Sequence, residues 1–157
     1  MNLKDIVSIS GKPGLYQIIS KRKNGFIVES LDFKARRFPT NPNQRVSILD
    51  EISVFTDTGD LKILEVLVKM YQQIEDNGLE MPTKGSSSEE IVSFFEQILP
   101  NFDRERVYNS DILKLCVWYK ILSEQMDLSE LKLEEKEEEK SEEKSEEKAE
   151  EKAKDID

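Results

Sequence analysis

Within the first 56 residues of this sequence the charged side chains are mainly cationic. Lys21, Arg22 and Lys23 sit at the centre of GLYQIISKRKNGFIVESLD, and Lys34, Arg36, Arg37 and Arg45 follow, with Tyr16, Phe33 and Phe38 interleaved. Arginine and lysine mixed with aromatics neutralise phosphates and stack exposed bases, so Lys21, Arg22, Lys23, Arg36, Arg37 and Arg45 form a candidate anion- or nucleic-acid-binding set. The competing explanation is that hairpin tips and exposed strand faces carry charge for solubility and to discourage edge pairing. Strand alternation sends Arg36 and Arg37 to opposite faces, so without a bulge the two cannot serve one flat surface.

Other chemistries are poorly supplied. There is no histidine, the commonest general base and transition-metal ligand. A single cysteine, Cys116, cannot build a thiolate metal site or an internal disulfide, and it lies among Leu115, Val117 and Trp118, a setting that suits an inert core thiol. No phosphate-binding loop, dinucleotide fingerprint or nucleophile elbow occurs. The glycine pair in GKPG, residues 11–14, precedes a strand and not a helix, so it reads as a turn. Carboxylate-only catalysis would have to draw on acids such as Asp32, Asp50 and Glu51 brought together by folding. The expectation is a protein that is not an enzyme and needs no cofactor or metal. Trp118 and Tyr119 are the candidate protein interface, since aromatics concentrate at binding hot spots; the alternative is that they close a helical core.

The elements that would position these residues follow from periodicity. LYQIIS and FIVESL flank Asn24-Gly25, a dipeptide suited to a tight hairpin turn, and KARRFPT, RVSIL and ISVF continue the run of short β segments. Five short strands predict a small SH3-like barrel over residues 1–57, with Leu15, Ile18, Phe26, Val28, Phe38, Val46, Ile48, Ile52 and Val54 as its core. After Thr56 the apolar spacing becomes helical. Asp60 is the expected cap of a first helix ending at Asn77-Gly78; Ser87 with Glu90 opens a second that Pro100 ends; Ser110 is the expected cap of a third, lined by Ile112, Leu115, Cys116, Tyr119 and Leu122. Residues 58–131 are thus a three-helix domain, and 132–157, almost entirely Glu and Lys in a four-residue repeat, form a disordered acidic tail.

The net charge of −10 over 157 residues hides a gradient. Residues 1–56 carry nine Lys/Arg against five Asp/Glu, 57–133 carry eight against fifteen, and 134–157 carry six against thirteen, so only the first segment attracts polyanions. The N-terminal MNLKDIVSISGKPG holds Asp5 and no long apolar stretch, and no run reaches the roughly 18 residues of a membrane helix. A cytoplasmic protein without membrane contact is expected.

The phrases NLKDIVSISGKPGLY, RRFP, VSILDEISVFT and LPNFDRERVYNSDILKLCVWY together resemble an uncharacterised bacterial family known mainly from Bacteroidetes, a domain of unknown function. The resemblance covers roughly residues 2–130 and implies a cytoplasmic protein with a β-rich and a helical part; it brings no functional residues with it. Together these features predict an α+β, non-enzymatic binding or scaffolding protein with a protein partner. The alternative is an RNA- or ribosome-associated protein that uses the basic face of the barrel.

Overall fold

The computed structural model describes residues 2–32 and 34–130. The expected tail, residues 132–157, lies outside the described residues, as does Phe33.

Five strands form one antiparallel sheet: β1 (Ile6–Ile9), β2 (Tyr16–Arg22), β3 (Gly25–Ser30), β4 (Arg37–Pro39) and β5 (Val46–Ile48), in the order β4-β3-β2-β1-β5. The strands differ from the expected set in two places. IVSI, which the β pattern starting at Leu15 passes over, becomes β1 at the heart of the sheet. ISVF leaves the sheet: β6 (Ser53–Thr56) instead pairs with β7 (Gly59–Lys62) in a separate hairpin that spans the expected boundary at residue 57. The reason is local. The tight turn between Thr56 and Gly59 offers β6 a partner at once, while the 3-10 turn Leu49–Glu51 carries the chain away from β5.

The sheet is curled. β4 and β5 are its outer strands, yet only residues 40–45 connect them, and that loop is shortened by a turn closed by the Gln44 N–H on the Asn41 carbonyl at 2.9 Å. A flat five-stranded sheet would hold its outer strands about 19 Å apart, and register adds roughly 15 Å along the strand direction. The span from Pro39 to Val46 reaches at most about 25 Å even when fully stretched. Curling also brings Tyr16 of β2 against Phe38 of β4, two strands away, with ring centroids 5.4 Å apart and planes at 81°. Among the described residues no pairing of β4 with β5 closes the curl.

The concave face encloses a small cluster of Val7, Ile9, Tyr16 and Val28, joined by the partly buried Ile18, Phe26, Phe38, Val46 and Ile48. The opposite face faces the helices, α1 (Ile63–Tyr71, continued by a π-helical turn, Gln72–Asp76), α2 (Ser88–Ile98) and α3 (Asn109–Gln125). There Leu3, Ile6, Leu15, Leu31 and Leu49 join Leu67, Phe95, Ile112 and Leu122 in one larger core. Leu15, Ile52 and Val54, expected inside a barrel, belong to this shared core. Ile6 and Val7 are adjacent and both fully buried, because β1 is covered on both faces.

The caps agree with the sequence at α2, where the Ser87 hydroxyl accepts from the Glu90 amide at 3.2 Å. They differ elsewhere. Asp60 lies in β7, and α1 starts at Ile63. At α3 the Asp111 carboxylate accepts from the Tyr108 N–H at 2.9 Å, which moves the start of the helix ahead of Ser110. The first shift arises because the β6–β7 ladder pairs Asp60 with Phe55; the second is local, because the Asp111 carboxylate three residues along satisfies the Tyr108 N–H.

Candidate functional site

A shallow groove of about 220 Å³ lies between β6 and α3. Its walls are Ile52, Val54, Val107, Leu115 and Trp118, with Phe55, Arg106, Asp111 and Lys114 at the rim. Phe55 alternates with the buried Val54 along β6 and is 38% exposed. The Arg106 guanidinium lies 4.9 Å from the Phe55 ring centroid, and the Lys114 ammonium 5.7 Å from that of Trp118, so each rim cation covers an aromatic. Arg106 also approaches Asp103 at 3.6 Å, and the Asp111 carboxylate is engaged with the Tyr108 N–H, so the rim is close to electroneutral. Val117, the residue beside Trp118 on α3, is 51% exposed.

The two expected interface aromatics therefore part company. Trp118 is buried but lines the groove. Tyr119 points inward, is 2% exposed, and donates its hydroxyl to Glu75 Oε1 at 3.3 Å; burial and the Glu75 carboxylate push its ionisation well above the ordinary tyrosine range. Tyr119 is a core residue. Sequence periodicity alone does not separate these neighbours, since both lie on a helix apolar over much of its circumference.

The basic set is divided between the two ends of the sheet. At one end Arg22 and Lys23 flank a shallow pocket with Asn24, Gly25, Pro39, Thr40 and Pro42, and Lys21 pairs across the ladder with Phe26. The two turn residues are Lys23 and Asn24, one position earlier than Asn24-Gly25; Gly25 instead opens β3, opposite Arg22, with φ +153°. At the other end Arg37 is tied to Glu29 across the strands at 2.9 Å, and the Arg36 N–H donates to the Ser30 hydroxyl at 2.9 Å. Arg45 lies next to β5 at this same end, its carbonyl accepting from Ser10. From Arg22 to Arg37 the register spans about 13 Å along the strands. The pocket beside Arg22 and Lys23 contains none of Arg36, Arg37 and Arg45.

The three acids considered for catalysis are likewise separate. Asp32 lies in the wall of a cleft of about 280 Å³ with Tyr16, Leu31, Ile121 and Glu124, whereas Asp50 and Glu51 lie on the 3-10 turn and are no part of that wall. One Asp32 oxygen accepts from the Ser30 hydroxyl and the Lys34 and Ala35 amides. The Ser30 bond is the main reason its carboxyl is held below the usual range. These bonds hold a loop in which Ala35 adopts φ +44°. Among the described residues no group of three or more His, Cys, Asp or Glu is placed to hold a metal ion, and no helix is long and apolar enough to cross a membrane.

Cys116 is buried, and burial pushes its thiol up to about 11 from an ordinary 9.0. Because the folded state holds the neutral thiol, its contribution to stability is complete below about pH 9 and is lost as pH rises toward 11, by roughly 2–3 kcal/mol. Urea midpoints measured at about pH 8 and pH 11 should therefore separate widely for the native chain and less for Cys116→Ala. Ellman's reagent at about pH 8 should leave the thiol unmodified until denaturant is added.

Comparison with known proteins matches residues 3–49 to a domain of unknown function (DUF5606) and residues 52–122 to a second (DUF6852). A solution NMR structure from Bacteroides vulgatus, a structural genomics target, is 40% identical, aligns over 77% of this chain and 85% of its own, and superposes with a TM-score of 0.60. The chain belongs to this uncharacterised Bacteroidetes family. No curated protein matches it. The two family domains meet at the 3-10 turn Leu49–Glu51, so the second of them holds β6, α3 as far as Leu122 and the whole groove, while the first holds the divided basic set.

Proposed function

We propose that this family member is a non-enzymatic binding protein that engages a protein partner at the groove between β6 and α3. The observation that carries this reading is the concentration of apolar surface there: a groove walled by Trp118, Leu115, Val107 and Val54, with Phe55 half-exposed at its mouth. Partly exposed aromatics around an apolar depression are the usual composition of an interface hot spot. The reading takes the curled sheet as an SH3-like incomplete barrel that supports the helices, and the buried free thiol suits a reducing cytoplasm. Co-purification from native lysate tests it: the tagged native chain should return a nuclease-resistant partner that Phe55→Ala combined with Lys114→Glu loses. Recovery unchanged by those substitutions removes the groove from the function.

A second reading is favoured by charge separation. The first family domain carries nine Lys/Arg against three Asp/Glu, the second seven against twelve, so the sheet end is basic and the helical end acidic. This supports RNA or ribosome contact at Lys21, Arg22 and Lys23, which no carboxylate engages among the described residues. Nuclease-sensitive recovery, with a salt dependence that flattens in Arg22→Glu, would transfer the function to that end.

A further inference from the structure

The edge of β6 explains what kind of partner the groove fits. In an antiparallel ladder, residues whose N–H and C=O face the partner strand alternate with residues whose groups face away. The Ile63 N–H donates to the Ile52 carbonyl at 3.0 Å, which places Ile52, Val54 and Thr56 in the inward-facing set and Ser53 and Phe55 in the outward-facing one. The outer edge is already used further along: the Asp103 N–H donates to the Phe55 carbonyl at 2.9 Å, and the Asp57 N–H to the Asn101 carbonyl at 3.0 Å. Residues 101–103 thus begin a third strand, and it stops abruptly. The Asp103 carbonyl accepts from the Val107 N–H at 2.9 Å and its side chain from the Glu105 N–H at 3.0 Å, so the chain turns off the edge before it reaches Ser53. The Ser53 N–H and C=O are left without a protein partner among the described residues, and Ser53 lines the groove.

Resting on the reading of this groove as a protein-binding site, we propose that its ligand is an extended peptide segment of a partner protein, added as a strand to β6 at Ser53, where residues 104 and 105 would otherwise have continued. Hydrogen bonding selects this ligand over a helix or a small apolar molecule. The groove presents a free main-chain donor and acceptor on one residue, which is what the narrow pair of an antiparallel ladder requires, and a helix has no main-chain groups to spare along its length. Alternation then sets the sequence preference. The peptide residue opposite Ser53 shares its outward face, so the residues on either side of it turn toward Val54 and drop their side chains against Trp118, Leu115 and Val107. The expected motif is apolar, any residue, apolar. A rim close to electroneutral gives no preference for charge at the middle position.

The test uses the full chain and a phage-displayed library of random linear peptides as probe. Enriched peptides should share two apolar residues separated by one, and a synthetic copy should slow hydrogen exchange at the Ser53 amide. Ser53→Pro removes only the outward donor, at an edge position where proline is tolerated, and should weaken binding by at least about tenfold. If the peptide binds but neither changes Ser53 exchange nor responds to Ser53→Pro, strand addition is overturned; loss of that binding in Phe55→Ala would show that the groove itself still functions. A library that yields no binder overturns the inference, while the co-purification experiment decides separately whether the groove binds protein at all. The exchange measurement is made on the native chain, so it stands even if Ser53→Pro folds poorly.

Discussion

Ile6→Ala should lower stability by about 2–5 kcal/mol and melt the sheet and the helices together. Ile6 belongs to β1 but is fully buried in the larger core, alongside Leu67, Phe95 and Leu122 from the helices. Removing most of its side chain leaves a cavity shared by both family domains. Its cross-strand partner Gln17 is polar and half-buried, and does not refill that space. Far-UV circular dichroism follows the helices, and fluorescence of Trp118, the sole tryptophan, follows the groove wall. The two thermal transitions should coincide in the native chain and move down together, by about 10 °C or more. A helical transition left in place would show that the family domains fold independently and that the shared core contributes little.

Gly25→Ala should cost about 2–4 kcal/mol, far more than an ordinary surface glycine replacement. At φ +153° the backbone disfavours any L side chain, and a β-carbon built there lies 2.5 Å from the Thr40 hydroxyl oxygen. That oxygen cannot simply swing away, because it accepts from the Phe26 amide at 2.9 Å, and Thr40 itself is buried. Relief of the clash therefore exposes a part-buried N–H to loss of its partner. Thr40→Ala should cost about 1–2 kcal/mol by itself, yet recover part of the Gly25→Ala loss when the two are combined, giving a coupling energy measurable by urea denaturation. Strict additivity would mean that the tip of the hairpin and the 40–45 loop do not touch. Because this contact holds Arg22 and Lys23 in the basic pocket, the same variants should also reduce polyanion binding if that end of the sheet supplies the function.

Local signals in this sequence were strong where the physics is local. Alternating apolar residues marked β2 and β3, the Ser87–Glu90 pair marked the start of α2, and three-to-four spacing marked all three helices, because each of these features depends on residues within a turn or two of one another. The isolated cysteine among apolar neighbours already identified Cys116 as a core thiol. The basic residues were legible as a list but not as a surface, since register determines which end of a sheet each one occupies. Arg37 was claimed by Glu29, a partner visible only once β3 and β4 are paired. The groove was only half legible: Trp118 announced itself, but Ser53 carries no chemical signal.

Composition and periodicity alone thus determined an α+β chain, its helices, its charge gradient and its shortage of catalytic groups, because these are sums or short-range patterns along the chain. Only the tertiary structure decided that ISVF leaves the sheet for β7, that IVSI takes a place in it, that Tyr119 is buried while Trp118 lines a groove, and that the β6 edge stays open at Ser53. Each of these depends on which of several competing partners a segment meets in space, and a strand satisfies its main-chain groups equally well with any partner of the right shape.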